Sequence, residues 1–412
     1  MSQPPVESPA RVLLLAVVLS FGAAISLGIT RFAYALLLPP MRADLQWSYA
    51  LAGAMNTANA VGYLVGALLT PALLRRSGPS SLLIRGAWLA SVFMALSGFF
   101  TDPGMLLLQR LLAGVASAFV LVAGSLLAVR LGALNPARSG LLIGLYYGGT
   151  GIGILVSALL VPALLEAASG HAHGWALSWW GLALVCVAAT IALLWPARVL
   201  ARPPAGAGVS AHATAPAPIR FRWRDFAPSL TAYGLFGVGY IGYMTFVIAL
   251  LREQGVGPAR LTLFYALLGL ACVASSRLWA GLLDRFAGGQ PLTILSALLG
   301  VAILIPALTA QWAAVLVSGL LFGAVFLSVV GSTTALVRHN LPASEWTAGI
   351  SAFTVVFAAG QIAGPAVVGW IADGEGGLAR GLLFSAAALW LGAAIAWRQR
   401  PLAGRAPRAA TC

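Results

Sequence analysis

Twelve long apolar runs divide this chain, and this pattern constrains the fold more than any other feature. Only 8% of the 412 residues are charged, whereas ordinary soluble domains carry about 25% charged residues. Most of the charges lie between the apolar runs or close to their ends. A helix needs about 20 apolar residues to cross the hydrocarbon layer of a bilayer. The sequence therefore predicts an all-α membrane protein and excludes a soluble fold.

The predicted membrane segments, numbered 1 to 12 in chain order, fall into two groups of six. They cover residues 12–38, 49–74, 81–100, 105–129, 139–165, 175–196, 226–250, 259–283, 291–310, 312–337, 346–371 and 378–397. The break between the groups is rich in proline, glycine, alanine and arginine, which is typical of a linker. We expect residues 1–196 and 226–412 to form two six-helix halves, joined by a cytoplasmic linker over residues 197–225.

Arginine supplies all 24 basic side chains of the chain. If the N-terminus is cytoplasmic, 18 arginines lie in stretches on the cytoplasmic side of the membrane and four lie in stretches on the outer side. A bias of this kind sets the orientation of membrane proteins. We therefore expect a protein of the bacterial inner membrane with both termini in the cytoplasm. The net charge of +14 would also suit a nucleic-acid binder, but no basic helix or aromatic RNA-binding motif accompanies it.

The two groups of segments share a pattern at a shift of 209 residues. The matched pairs are Gly28 with Gly237, Arg31 with Tyr240, Tyr34 with Tyr243, and Gly114 with Gly323. Several glycine and tyrosine matches at one shift indicate an internal duplication. Duplicated transporters bind their substrate at the interface of the two repeats.

Segment 8 ends in the sequence R-L-W-A-G-L-L-D-R over residues 277–285. This run resembles the G-x-L-x-D-R loop motif of the major facilitator superfamily, with alanine in place of the leading glycine. Arg277 and Asp284 are two helical turns apart, so one helix would present both on the same face. The resemblance implies that Arg277, Asp284 and Arg285 form a latch that holds the inside-closed state. The alternative is a basic cluster that serves only orientation.

Segment 4 carries a second motif of this superfamily. Arg110, Gly114 and Ala118 are spaced four residues apart, which resembles the R-x-x-x-G-x-x-x-[GA] pattern. Small residues at this spacing let a neighbouring helix pack closely beside the arginine. The sequence G-I-T-R-F-A-Y over residues 28–34 further resembles a branch of uncharacterised bacterial members.

Segments 5 and 11 carry glycines that predict a role in gating. Gly364 and Pro365 belong to a G-x-x-x-G-P pattern, which resembles the helix associated with exporters and antiporters in the superfamily. In segment 5, Gly148 belongs to the corresponding pattern, but Gly149 stands where proline is expected. The alternative for these glycines is close helix packing alone.

Arg31 in segment 1 and Arg110 in segment 4 are the two arginines that we assign to the membrane rather than to the stretches flanking it. At about 1.5 Å per residue, both lie roughly 10 Å deep from the periplasmic side. No aspartate, glutamate or histidine lies mid-segment. Buried cations without counter-ions are unfavourable, so the two arginines predict an anionic substrate. The alternative is that Arg110 bonds backbone carbonyls and that Arg31 extends towards the interface.

Further polar side chains within the segments are candidates for substrate binding. They are Tyr34, Asn59, Tyr147, Tyr240, Tyr243 and Gln361. Each can orient a ligand by hydrogen bonding, although tyrosines in membranes also serve as packing or interfacial residues.

The sequence therefore predicts a secondary transporter that moves a small organic anion across the inner membrane by alternating access. The alternative is a drug-type exporter of lipophilic compounds, which Gly364 and Pro365 favour and the lack of an embedded acid disfavours. Because the sequence contains no metal-ligand cluster, nucleophile triad or phosphate loop, we expect no enzymatic activity, cofactor or metal. The expected partners are a small-molecule substrate and the lipid bilayer, without nucleic acid, and the expected assembly is a monomer.

Overall fold

The computed structural model describes residues 9–135, 138–201 and 220–402, and within these ranges the chain is helical without strands. Eleven helices are long and apolar enough to cross a membrane. One of them, Tyr49–Ser97, has 49 residues, which corresponds to about 74 Å against a hydrocarbon layer of about 30 Å. Gly78, with φ 71° and ψ 166°, breaks it into two crossings. The chain therefore crosses the membrane twelve times.

We number the crossings α1 to α12 in chain order. They are α1 Ala10–Asp44, α2 49–77, α3 79–97, α4 Pro103–Leu134, α5 Ser139–Ala167, α6 Trp175–Val199, α7 Ala227–Glu253, α8 Pro258–Leu278, α9 Gln290–Leu308, α10 Trp312–Asn340, α11 Trp346–Ala372 and α12 Gly377–Ala396. The twelve helices predicted from the sequence are confirmed. Most of the predicted linker, residues 202–219, lies outside the described residues, as do residues 1–8 and 403–412.

The start of α1 and the end of α12 lie at the same face of the molecule, because the number of crossings is even. We call this the terminal face and the other the opposite face. Odd-numbered helices run from the terminal face to the opposite face, and even-numbered helices run back.

Helix α1 changes its winding in the middle of the membrane. An α-helical start is followed by a π-helix over Ala24–Phe32, and α-helix resumes over Tyr34–Asp44. A π-helix has wider turns with hydrogen bonds between residues five apart, and it occurs mostly at functional sites. Apolar periodicity did not predict this change. It alters the side of the helix to which Arg31 points.

The two halves repeat one another in their helix contacts. A Cβ atom on Gly114 of α4 would lie 2.1 Å from the carbonyl oxygen of Asn59 in α2. A Cβ atom on Gly323 of α10 would lie 2.3 Å from the carbonyl oxygen of Leu268 in α8. Both residues of the second pair lie 209 positions after those of the first. This recurrence supports the internal duplication indicated by the sequence.

Candidate functional site

A cavity of about 360 Å³ lies between the two halves and is lined by residues of α1, α2, α4, α5, α7, α10 and α11. Its lining reaches Tyr233 and Ile350, which lie in the second turns of α7 and α11 next to the terminal face. It also reaches Tyr240 and Gln361 in the middle of the same helices, and Arg31 in α1. The cavity therefore extends from the terminal face to the centre of the membrane.

The opposite face is closed by polar contacts between the halves. The carboxylate of Asp373, at the end of α11, accepts hydrogen bonds from the backbone N–H groups of Tyr49 and Ala50 at 2.6 and 2.8 Å. A carboxylate at a helix N-terminus is favourable because it accepts hydrogen bonds from free N–H groups. Its negative charge is also attracted by the positive end of the helix dipole. The Tyr49 hydroxyl donates to Glu253 at the end of α7. The second half thus caps the start of α2.

Below this cap, α2 and α11 are in backbone contact. A Cβ atom on Gly53 would lie 2.2 Å from the carbonyl oxygen of Pro365, and the Thr57 hydroxyl donates to the carbonyl of Ile362 at 2.8 Å. Pro365, predicted to act in gating, therefore lies at the closed contact. The cavity lining therefore approaches the terminal face, whereas α2 and α11 are in contact towards the opposite face.

We expect the change Asp373→Asn to open the opposite face in a larger fraction of molecules. The change keeps side-chain volume but removes the charge, and hydrogen bonds to charged groups contribute about 1.5–3 kcal/mol. The cap exists only when this face is closed. The fraction of molecules in which the opposite face is open should therefore be about tenfold or more higher in Asp373→Asn than in the parent protein. Labelling of Thr57→Cys by a membrane-impermeant maleimide from the opposite face, in a cysteine-free background, measures this.

The matched control for this prediction is Glu375→Gln. Glu375 is an exposed carboxylate two residues away, and its carboxylate makes no hydrogen bond within the described residues. Its replacement should leave the labelling rate unchanged. Equal labelling of Asp373→Asn and the parent protein would show that the cap does not hold the face closed.

The other two glycine positions predicted to act in gating lie at helix contacts. Gly364 packs against α7, where its Cβ atom would lie 2.6 Å from the carbonyl oxygen of Val238. Gly148 faces Val273 of α8 in the other half, with 3.8 Å from an added Cβ atom to the nearest side-chain carbon. Gly364 therefore tightens the second half internally, whereas Gly148 lies where α5 meets α8 across the halves.

The predicted latch is not engaged in this conformation. Helix α8 ends at Leu278, and a short helix over Ala280–Arg285 begins after a break at Trp279, where φ is −107° and ψ is 2°. The expectation of one continuous helical face for Arg277 and Asp284 is therefore corrected. Both side chains are exposed, and within the described chain no ion pair joins them. A disengaged latch accords with a cavity that reaches the terminal face.

The third residue of that motif, Arg285, contacts an aromatic ring instead. Its guanidinium carbon lies 5.5 Å from the centre of the Phe286 ring. A cation above an aromatic face is weakly attractive at an exposed site. The role of Arg277, Asp284 and Arg285 as a latch stays a prediction for the closed terminal face.

Arg110 lies in a hydrogen-bonded network outside the cavity lining. Its side chain is 2% exposed. Nη1 donates to the carbonyl of Thr30 at 2.7 Å, and Nη2 donates to Oδ1 of Asn56 at 2.9 Å. The rings of Tyr34 and Trp179 lie 4.9 and 5.8 Å from the guanidinium carbon. Arg110, predicted to bind substrate, therefore contacts protein oxygens through two of its nitrogen atoms, whereas its Nε has no hydrogen-bond partner among the described residues.

The Arg110 network joins the two halves. Asn56 donates from Nδ2 to the hydroxyl of Thr245 in α7 at 2.8 Å. Asn59 donates to the carbonyl of Arg110 at 3.1 Å, and Tyr34 donates to the carbonyl of Ala52 at 3.0 Å. Asn59 and Tyr34, both predicted to bind substrate, therefore brace α2 from outside the cavity lining.

Tyr243 is likewise placed away from the cavity. Its hydroxyl shares a hydrogen bond of 2.7 Å with the Ser318 hydroxyl, and its ring stacks on Phe322 at 4.3 Å between centres. Four of the predicted substrate-binding residues do line the cavity. They are Arg31, Tyr147, Tyr240 and Gln361.

Arg31 is the cavity residue with unused hydrogen-bonding capacity. Its side chain is 2% exposed, yet its Nε and Nη2 atoms have no hydrogen-bond partner among the described residues. Among the described lining residues there is no carboxylate and no second cation. The cavity lining therefore includes one buried guanidinium, two of whose nitrogen atoms lack a partner among the described residues.

Sequence reasoning missed the aromatic lining. The overlooked rings are Tyr63, Tyr233, Phe236, Phe326, Phe353 and Phe357. A usable signal exists in α7, where Tyr233, Phe236, Tyr240 and Tyr243 are spaced by three and four residues. That spacing places all four on one helical face.

Twelve crossings, two similar halves and a cavity between them are typical of a secondary transporter of the major facilitator type. The model of the family described as "Uncharacterised MFS-type transporter YbfB" matches residues 23–397. The chain belongs to this family, which confirms the resemblance to the major facilitator superfamily. None of the curated proteins searched matches the sequence.

Solved structures with the same fold include two transporters. The nucleoside transporter NupG superposes with a TM-score of 0.69 at 14% identity, covering 93% of this chain and 98% of that chain. A bacterial homologue of the human lysosomal transporter Spinster, inward-facing and unoccupied, gives a TM-score of 0.70 at 16% identity, covering 96% and 97%. At these identities the likeness shows the fold alone.

Proposed function

We propose that this chain moves a small organic anion across the bacterial inner membrane, and that Arg31 is the residue that binds the anion. One observation carries the proposal: the buried guanidinium of Arg31 has unused donors in a cavity without a described carboxylate. A buried charge without a partner is unfavourable. Removing one partner of a buried ion pair, for example, destabilises a protein by about 3–5 kcal/mol. An anion that enters the cavity would offset this cost.

The chemistry of arginine narrows the ligand group. The guanidinium is planar and presents its donors as a fork, which matches the two oxygens of a carboxylate, sulfonate or phosphate. Nε and Nη2 of Arg31 form one side of that fork, and both are unpartnered. A single ligand group that reaches this side of the guanidinium would accept two parallel hydrogen bonds from it.

Transport would proceed by rocking of the two halves around the cavity. The contacts of α2 with α11, and of Asn56 with Thr245, would break as the opposite face opens. Arg277, Asp284 and Arg285 would then form the latch at the terminal face. The excess of arginines at this face favours a cytoplasmic location, so the cavity would be accessible from the cytoplasm.

The position of the carboxylates bears on coupling. Those within the described residues lie at helix ends or in loops. They are Asp44, Asp102, Asp225, Glu166, Glu253, Asp284, Glu345, Asp373 and Glu375. Proton-driven carriers normally place a titratable acid or histidine within the membrane. Protonation of the substrate itself, anion exchange or facilitated diffusion would therefore account for the movement.

A drug-type exporter of lipophilic compounds is the second candidate. The aromatic lining of the cavity favours it. Against it, a lipophilic cation would meet the positive charge of Arg31, and no described carboxylate in the lining would balance the cation. We therefore place the anion first.

A thermal-shift screen of the purified protein tests the proposal. Organic anions should raise the melting temperature, because a ligand at about 100 times its Kd stabilises the native state by about 2.7 kcal/mol. Lipophilic cations should not. Sodium chloride at matched ionic strength controls for general salt effects. Stabilisation by lipophilic cations and by none of the anions would contradict the proposal and favour the exporter.

A further inference from the structure

The wall of the cavity formed by the second half is a set of aromatic rings in nearly parallel planes. Phe236 and Phe357 have ring centres 5.4 Å apart and planes 9° apart. Tyr240 lies 5.6 Å from Phe357 at 18° and 6.2 Å from Phe326 at 10°. Tyr233 lies 4.8 Å from Phe357 at 20°. We call these five rings, contributed by α7, α10 and α11, the aromatic wall.

The first half contributes Arg31 together with the rings of Tyr63 and Tyr147 to the same cavity. Tyr240, a member of the aromatic wall, lines this cavity together with Arg31. Because the guanidinium and the aromatic wall line one cavity of about 360 Å³, one small molecule can contact both.

From this juxtaposition we infer that the transported anion is a flat aromatic monocarboxylate, with its carboxylate on Arg31 and its ring against the aromatic wall. The inference rests on the proposed function and specifies its substrate. Aromatic rings attract one another in offset-stacked or edge-to-face arrangements beyond the effect of buried area. A saturated ring of similar size lacks that attraction.

Size and charge limit the ligand further. Ligand cavities typically measure about 300–1,000 Å³, and this one, at about 360 Å³, is at the lower end. One aromatic ring or two fused rings therefore suit it. Arg31 is the single cation among the described lining residues, so a second carboxylate would be buried without a partner. Benzoate and 2-naphthoate meet these criteria, whereas terephthalate does not.

The test compares equilibrium binding of benzoate and cyclohexanecarboxylate to the full-length purified protein by calorimetry. The two acids have similar size and one carboxylate each, but only benzoate is flat and aromatic. Benzoate should bind about three- to tenfold more tightly, and more tightly than terephthalate. In Phe357→Leu and in Tyr240→Leu the ratio of the two affinities should fall towards one. In Phe264→Leu, a buried ring of α8 outside the cavity lining, the ratio should not change.

The outcomes separate this inference from the proposed function. Equal affinity for both acids, lost for both in Arg31→Gln, would overturn the aromatic inference and keep the anion proposal. If the protein binds neither acid, and also binds none of the aliphatic carboxylates with longer chains, both the aromatic inference and the anion proposal are overturned. If Phe357→Leu does not fold, Tyr240→Leu decides, and an unchanged ratio in that variant would overturn the role of the aromatic wall.

Discussion

Arg31→Gln is expected to lower the affinity for benzoate about a hundredfold while the protein remains folded. Removing one partner of a desolvated charge pair costs about 2–5 kcal/mol in binding, and about 2.7 kcal/mol corresponds to a hundredfold. The fold loses little, because Nε and Nη2 of Arg31 hold no hydrogen bond within the described chain. Calorimetric titration and the melting temperature of the same samples measure the two effects separately.

Two further variants sharpen the Arg31 prediction. Arg31→Lys keeps the charge but lacks the planar fork, so its affinity should fall between those of the parent protein and Arg31→Gln. Arg380→Gln removes an exposed arginine at the opposite face, whose described hydrogen bond is to the carbonyl of Glu375. It should bind benzoate like the parent protein. Parent-like affinity in Arg31→Gln would remove the main support for an anion site.

Arg110→Leu is expected to destabilise the protein by about 2–6 kcal/mol. The change leaves the carbonyl of Thr30 and Oδ1 of Asn56 buried without their donor, and each orphaned group costs about 1–3 kcal/mol. It also removes the cation from the rings of Tyr34 and Trp179. Thermal unfolding in detergent measures the loss, which should appear as a clearly lower melting temperature.

A double-mutant cycle tests the proposed cause of that loss. If the hydrogen bond of 2.9 Å between Arg110 and Asn56 matters, Arg110→Leu and Asn56→Ala together should destabilise less than the sum of the single changes. A variant Arg110→Leu that keeps its melting temperature and loses benzoate affinity would instead place Arg110 in the substrate site. That result would restore the role that the sequence predicted for it.

The helices were predictable because their cause is local in the sequence. An apolar run of about 20 residues crosses lipid as an α-helix, because a helix forms all of its backbone hydrogen bonds within the run. The same rule identifies Arg31 and Arg110 as unusual. Likewise, the repeat of 209 residues anticipates the matched contacts of Gly114 with Asn59 and Gly323 with Leu268.

The different surroundings of the two arginines were not predictable from depth alone. The backbone around Arg31 is a π-helix over Ala24–Phe32, and helical periodicity assumes an α-helix. The carbonyl of Thr30 within this stretch accepts from Arg110. The π-helix therefore contributes to the surroundings of both arginines, because it contains Arg31 and an acceptor for Arg110.

The aromatic wall depends on tertiary packing across three helices. The rings of Tyr240, Phe326 and Phe357 belong to α7, α10 and α11, so no single apolar run records their parallel arrangement. The break at Trp279 was missed for a related reason, because the residues on both sides suit a helix. Interhelical geometry, rather than local preference, determines these features.

Uptake of radiolabelled benzoate by proteoliposomes tests the central claim most directly, namely that an anion crosses the membrane through the Arg31 cavity. The measurement compares liposomes with the parent protein, liposomes with Arg31→Gln and empty liposomes. The account predicts saturable uptake by the parent protein above the empty liposomes, and uptake near the empty level for Arg31→Gln at low benzoate concentration. Equal saturable uptake by the parent protein and by Arg31→Gln would contradict it.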